Sequence, residues 1–296
     1  MGEAVQPRVA VRRATLTRVA RDPALVARLA FSYVAVVLAM AVIGMPIYWM
    51  ATGSLKTLQQ IYQFPPVWWP PVLHWENYAS AWTKAPFGRF YVNSLVTTVA
   101  GTVLKLLNAV FTAYALAFFR VPGRTAIFLA MLAALMIPPE VAVLPNYLTI
   151  ARLNWVNTYQ GLVLPGAGVA FVTFLLRQSF LSLPHEVLEA AVVDGAGHLR
   201  RLWSVVLPMS RPALATAALL LIEAKWNEFF WPLVSTNVQD MRTLPVGIAF
   251  LISQEGTVDW HIVMAGTMFV IAPVVAVFLL VQRQLVAGIT AGAVKG

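Results

Sequence analysis

Five ionisable side chains fall inside apolar stretches of this 296-residue chain: Lys105, Glu140, Glu223, Lys225 and Glu228. An ionised group at the centre of a membrane helix costs at least about 2.5–3.5 kcal/mol, so each is a candidate for a polar pathway. Glu223 and Asn227 are four residues apart and share one helix face, while Lys225 and Glu228, three apart, share another. One face would line a path and the other would pair with a neighbouring subunit. Ion pairs between helices are the alternative, and the spacing leaves it open. Glu223, near the middle of its apolar run, Asn227, Lys105 and Asn108 make up the predicted pathway set. For a phosphate ester, Lys105 or Lys225 would supply the counter-charge.

Other chemistry is poorly provided for. There is no cysteine, so thiol catalysis and disulfides are excluded. His185-Glu186-Val187-Leu188-Glu189 approaches a zinc-protease motif but lacks its second histidine, and His74, His198 and His261 lie in separate parts of the chain. No metal site and no catalytic triad are expected.

The most polar interruption between apolar runs is residues 184–212. Leu183, Val187, Leu188 and Ala191 recur at helical spacing, predicting a short amphipathic helix with His185, Glu186 and Glu189 turned outward. Ala190 and Ala191 keep one face thin enough for another protein to approach, and Glu189 offers a carboxylate that an Arg fork could grip. Gly195 can adopt the positive φ that ends a helix, and Asp194 can bond donors at that turn. Ala196 follows. Pro208, after Leu207, and Pro212 suit first turns, where a missing N–H costs little.

Composition fixes the setting. The chain is 59% hydrophobic and 11% charged, with a mean hydropathy of +0.74, which is a membrane protein. Six spans are expected at about 29–51, 90–118, 125–148, 158–181, 213–234 and 261–282, the third kinked by Pro138, Pro139 and Pro145. A basic tail, 1–28, precedes them, and residues 284–296 form a short tail after them. Ala39-Met40-Ala41 resembles a signal-peptide cleavage site, but the first apolar run exceeds the ~7–15 residues of such a segment, so a retained span is expected. Residues 52–88, with Pro65-Pro66 and Trp68-Trp69-Pro70-Pro71, are too polar and proline-broken to cross, and their Trp and Tyr side chains suit an interfacial belt.

The net charge of +9 does not point to nucleic acid, because the basic residues gather at membrane edges. With the amino terminus inside, fourteen of the 21 Lys and Arg are cytoplasmic: the six arginines of the tail, Arg120, Arg124, Arg177, Arg200, Arg201, Arg211, Arg283 and Lys295. That bias places both termini and the 184–212 loop in the cytoplasm.

Glu189-Ala190-Ala191, three residues, Gly195, nine residues, Val205, one residue and Leu207-Pro208 resembles the EAA loop of bacterial ABC-importer permeases, with Val205 where that pattern has Ile. Asn93-Ser94-Leu95, Pro122-Gly123-Arg124, Asn157-Thr158-Tyr159-Gln160-Gly161, Phe174 to Gln178, Trp226-Asn227-Glu228 and the Gly292–Gly296 tail are similar to the maltose-permease-type subunits of carbohydrate importers. Around 131–184 the likeness leans toward permeases for sn-glycerol 3-phosphate or related glycerophosphodiesters.

The resemblance implies an all-α integral membrane protein of the type I importer fold in the bacterial inner membrane. It implies a homologous second permease subunit, two ATPase subunits and an extracytoplasmic substrate-binding protein. Glu189, Ala190, Ala191, Asp194, Gly195, Ala196, Leu207 and Pro208 would form the ATPase-coupling element. The chain would bind no cofactor itself, Mg-ATP being held by the ATPase: no Gly-Lys-Ser/Thr occurs, and none of Lys56, Lys84, Lys105, Lys225 and Lys295 follows a glycine. The competing readings are an ATP-independent secondary transporter, which would call for coupling-ion residues and often an internal repeat, and a membrane-embedded enzyme.

Overall fold

A computed structural model describes residues 23–252 and 258–293, with side chains to residue 279. Within them the chain forms helices joined by turns and loops, and three of the helices are long: α1, Pro23–Gly53; α4, Phe87–Phe118; and α14, Trp260–Ala293. At 1.5 Å per residue each exceeds the ~30 Å hydrocarbon core. Between α1 and α4 lie α2, Leu58–Tyr62, and α3, Glu76–Lys84. Thr57 starts α2 with a capping box: its hydroxyl accepts from the Gln60 N–H, and Gln60 accepts from the Thr57 N–H.

Three further apolar segments are bent rather than straight. α5, Arg124–Ala134, meets α6, Pro139–Arg152, at 94°; α7, Tyr159–Gly166, meets α8, Ala170–Leu181, at 54°. α9, His185–Val193, precedes α10, His198–Met209, which meets α11, Arg211–Trp226, at 84°. α12, Phe230–Ser235, and α13, Leu244–Ile252, complete the order before α14.

The differences from the sequence expectation are local and have causes. The first helix starts at Pro23 rather than 29, and the last runs past 282 to Ala293, because helical backbone does not stop where apolar side chains do. The segment expected at 158–181 is interrupted at Pro165 and Gly166, and the one expected at 213–234 breaks after Trp226. Residues 1–22 of the basic tail and 294–296 of the other lie outside the described residues.

The long helix α4 organises the packing, with α8 and α11 against it and α14 against α11, α3 and α1. Its buried face changes character along its length. Toward Phe118, Ala109, Ala113 and Ala117 recur every four residues and let Leu176, Phe180, Leu202, Val206 and Leu221 close in as one apolar cluster. Toward Phe87, after the buried rings of Phe87 and Phe90, the buried residues turn polar or small: Asn93, Ser94, Thr97, Thr98, Gly101 and Thr102. Asn93 is fully buried and works as a junction. Its amide donates to the carbonyls of Asp240 at 2.7 Å and Arg242 at 2.9 Å, and its Oδ1 accepts from the Tyr159 hydroxyl at 2.8 Å. Ser94 accepts from the Leu244 N–H at 2.8 Å.

The turn before α7 is fastened to the same end. Asn157, at φ 59°, accepts through Oδ1 from the Asn237 N–H at 2.7 Å and donates to the Asn237 side chain at 2.6 Å. Just after α1, Lys56 is fully buried with its ammonium 4.1 Å above the Trp49 ring, and burial pulls its pKa below the ordinary lysine value.

Candidate functional site: a displayed loop and a cleft between broken helices

Two regions carry the chemistry. The first is the loop expected at 184–212. α9 ends in a full Schellman turn: Gly195 stands at φ 73°, its N–H donates to the Val192 carbonyl at 3.0 Å, and the Ala196 N–H donates to the Ala191 carbonyl at 2.9 Å. Asp194 is the residue before that glycine and donates its own N–H to the Ala190 carbonyl at 2.9 Å. Its carboxylate meets no donor among the described residues, so the expected side-chain bond at the turn is not made.

Apolar packing seats this loop. Leu188 is buried in the cluster beside α4 and Ala191 is buried three residues along, on the inner face of α9, while Glu189 and Ala190 face outward. Val187, expected on the inner face, is 40% exposed, because nine residues of helix offer only about two turns to the core. In α10, Leu202 and Val206 enter the same cluster, and Tyr114 of α4 donates its hydroxyl to the His198 carbonyl at 3.1 Å. Leu207 and Pro208 lie in the last turn of α10, so Pro208 does not open a new helix as expected, because the helical backbone already runs from His198 into it; Pro212 does, in the first turn of α11. Outward, the loop displays Val192, Val193 (86% exposed), Leu199 and Trp203 around Glu189 and Ala190. Leu199 and Trp203 did not stand out in the sequence, although an exposed tryptophan beside a polar loop is a partner-surface signal.

The second region is an open cleft of about 410 Å³ where three breaks converge. Pro139, Glu140 and Asn146 line it from the α5–α6 bend, Pro165 and Gly166 from the α7–α8 bend, and Glu228, Phe229, Phe230 and Trp231 from the gap between α11 and α12. Broken backbone inside a membrane is tolerated where it is buried in protein or lines a polar cavity. Here the breaks satisfy one another. Pro165 has no N–H to give the Gly161 carbonyl four residues earlier, and the Trp231 indole donates to it instead at 3.0 Å. The chain then tightens into a 3-10 turn, Leu164–Gly166, and the Leu162 carbonyl accepts from the Lys225 ammonium at 2.9 Å.

Lys225 also pairs with Glu228 across the end of α11. Its stem passes over α4 at Gly101, where a Cβ would stand 3.0 Å from its Cε. Gly161 is equally constrained, since a Cβ there would stand 2.2 Å from the Trp155 carbonyl oxygen.

The expected pathway residues divide. Lys105 reaches Gly166, with its ammonium 3.5 Å from where a Cβ would stand, and lies within electrostatic range of Lys225 and Glu228. Asn108, one turn further along α4, is exposed and accepts from Thr112 at 3.4 Å. Glu223 and Asn227 do share a face, bonded at 3.0 Å, at the carboxyl end of α11. Neither they nor Asn108 lines the cleft. Glu228, Phe229, Phe230 and Trp231 do, and the signal for them was the Trp226-Asn227-Glu228 stretch itself.

Long apolar helices, interlocked broken ones around a cleft and a seated, displayed loop suit a membrane transport protein. The comparisons with known proteins agree. The chain belongs to the family of binding-protein-dependent transport system inner membrane components, whose model matches residues 29–291. It is 37% identical over 266 residues to the sn-glycerol-3-phosphate transport system permease protein UgpE of Yersinia enterocolitica, covering 88% of this chain and 95% of that one. It is 34% identical over 268 residues to the diacetylchitobiose uptake system permease protein NgcG of Streptomyces coelicolor, covering 89% and 88%. Among solved structures, it is similar to a chain of a bacterial ABC transporter involved in the import of the acidic polysaccharide alginate, with a TM-score of 0.77, 26% identity and coverage of 86% and 96%.

The fold is therefore that of a type I ABC permease, and the chain is an inner-membrane permease subunit of an ABC importer. Its family works with a binding protein, and the ATP-independent secondary transporter is set aside.

Proposed function

We propose that this permease carries a carbohydrate or glycerol-phosphate-type solute between an extracytoplasmic binding protein and the cytoplasm, in a complex with a homologous second permease and two ATPase subunits. The substrate range follows the two relatives, one a glycerol-phosphate and one a chitobiose permease. The chain crosses the membrane six times, on α1, α4, α14, the α5–α6 and α7–α8 pairs and the α11 arm of the third bent pair, with both termini and the 184–212 loop, α10 included, in the cytoplasm. The three long helices and three bent pairs are long and apolar enough for that count, and the positive-inside pattern supports the orientation.

In this reading Glu189, Ala190, Ala191, Asp194, Gly195, Ala196, Leu207 and Pro208 couple the ATPase to the pore, with Val193, Leu199 and Trp203 widening the docking face. One observation carries it: a helix closed by a complete glycine turn and seated by Leu188 and Ala191 displays Glu189 and Ala190 at its surface. A soft linker would absorb a stroke; a seated helix passes it to α4 and α11. Mg-ATP is bound and hydrolysed by the partner. At mid-depth, the cleft and the Lys105–Lys225–Glu228 cluster line this subunit's half of the path, and Glu223, Asn227 and Asn108 face the second permease.

A pull-down of the tagged chain in mild detergent tests the reading. The second permease and the ATPase should co-purify with the native chain. Glu189→Ala should lose the ATPase while retaining the second permease and membrane insertion. A Glu189→Ala complex that holds its ATPase and transports normally would remove the coupling role.

A further inference from the structure

Between α1 and α3 the chain turns its apolar side chains outward. Tyr62, Phe64, Trp68, Trp69, Val72 and Leu73 are all exposed, Phe64 at 90%, Trp69 at 63% and Val72 at 60%. Residues 58–75 contain no Lys, Arg, Asp or Glu. A contiguous apolar surface of that kind marks a place that something covers.

The path of the backbone says what covers it. The segment does not project beyond the end of α1 but folds back alongside that helix. The Tyr48 hydroxyl donates to the Trp68 carbonyl at 3.1 Å, and the Trp68 ring meets Trp49 edge-on with 5.9 Å between centroids. The buried Lys56 ammonium lies over the same Trp49 ring and holds it in place. Tyr48 stands five residues before the end of α1, about 7–8 Å back along the axis at 1.5 Å per residue, and helical side chains lean further toward the amino end. His74 then returns the chain to the top of α1, its N–H donating to the Leu55 carbonyl at 3.1 Å. Trp68 is therefore level with the last turns of α1, where Met45, Ile47 and Tyr48 are exposed, and no residue in the most apolar stretch of that helix is buried.

The backbone suits that level. A loop approaching lipid must bring few unsatisfied N–H groups. Pro65, Pro66, Pro70 and Pro71 have none, so four of the nine residues from Phe64 to Val72 carry no donor to desolvate. The carbonyls still need a donor, which the hydrated headgroup layer supplies and the hydrocarbon does not, and that layer is where Trp and Tyr collect. A protein partner calls for a polar rim around its apolar centre, whereas this surface runs straight into the exposed apolar side of α1.

We propose that residues 62–73 lie in the interfacial layer of the outer leaflet, with their rings among the glycerol and headgroup atoms of phospholipids, as a shallow re-entrant platform that fixes the depth of the outer end of α1. This surface is then a lipid contact and not a dock for the binding protein. The proposal rests on the orientation given above, with the end of α1 outside.

The chain has no cysteine, so single labels can be placed in the complete importer, built with cysteine-free partners, in phospholipid nanodiscs. Val72→Cys and, separately, Trp69→Cys carry a bimane fluorophore. Gln239→Cys, exposed in the turn before α13, is the reference in water. Lipids bearing a nitroxide at the headgroup or high on the acyl chain should quench the two loop labels about twofold more than lipids bearing it near the chain end. Iodide should quench them about threefold less than the reference, with or without the binding protein. Iodide quenching equal to the reference overturns the platform. Protection that appears only with the binding protein overturns it too, as does protection without lipid quenching, which would put the second permease there. Strongest quenching from the chain end overturns the shallow depth. Co-purification of the second permease and the ATPase reports assembly of each variant, and either loop label alone decides the outcome. The orientation is read separately: Arg120→Cys, on the α4–α5 turn, should react with a membrane-impermeant maleimide only in inside-out vesicles. Reaction from the outer face removes the orientation and the outer-leaflet assignment with it. A correct Arg120 result with loop labels open to iodide removes the platform alone.

Discussion

The displayed loop and the cleft are built by opposite means. Around 185–208 the geometry is local: a glycine at positive φ, two carbonyls within five residues accepting its turn's N–H groups, and small residues beside a carboxylate. Around the cleft the bonds that close the breaks join distant segments, as Lys225 does with Leu162 and Trp231 with Gly161. A local device can be substituted without disturbing the rest of the molecule. An interlocked one cannot, because removing either partner leaves a polar group stranded at membrane depth.

That contrast orders the expected effects. Lys225→Met strands both Glu228 and the Leu162 carbonyl and should cost about 3 kcal/mol, read as thermal unfolding of the purified complex. Adding Glu228→Gln should recover a good part of it, and no recovery would mean the ion pair is not what holds the break. Trp231→Phe keeps a ring but removes the donor to the Gly161 carbonyl. About 1–2 kcal/mol should go, and an unchanged melting temperature would show that this carbonyl finds another donor. Gly195→Ala should cost about 1 kcal/mol, the left-handed penalty of an ordinary residue. Its larger consequence should be weakened ATPase coupling, so a variant that melts early yet couples fully would dissociate the turn from the stroke.

The smallest effect is expected at the end of the molecule opposite the loop, where Lys84 of α3 pairs with Asp259 ahead of α14. The hydrogen bond from Lys84 holds the Asp259 carboxyl below its usual range. A depressed folded value means that the tether contributes above the ordinary aspartate pKa of about 3.9 and is lost as pH falls through the folded value. Both side chains are 39% exposed, so Asp259→Asn should cost under about 1 kcal/mol. Its melting temperature should match the native one only in acid; a difference that persists there would assign the effect to something other than this ion pair.

How far the sequence reached follows from the same contrast. The spaced residues of the loop were readable because each acts on neighbours a few positions away, and Gly195 took the conformation expected of it. The buried Leu188 and Ala191 likewise followed from periodicity, whereas Val187 did not, since a nine-residue helix can turn only so much of itself inward. Pro138 and Pro139 announced the bend between α5 and α6. Pro165, in an apolar run just as long, passed as part of a continuous span.

By itself, then, the sequence determined the helical, membrane-embedded class, the apolar runs, the glycine turn and the charges that membrane burial makes costly. Only the tertiary structure decided that Glu223 closes a helix while Glu228 lines a cleft, that Trp231 replaces the N–H that Pro165 lacks, and that Asn93 joins three separate segments. The physical reason is distance along the chain. Helix formation and capping are settled within four or five residues, but the partner that satisfies a broken helix's carbonyl may lie anywhere the fold brings close. For Gly161 and Leu162 it lies more than sixty positions away.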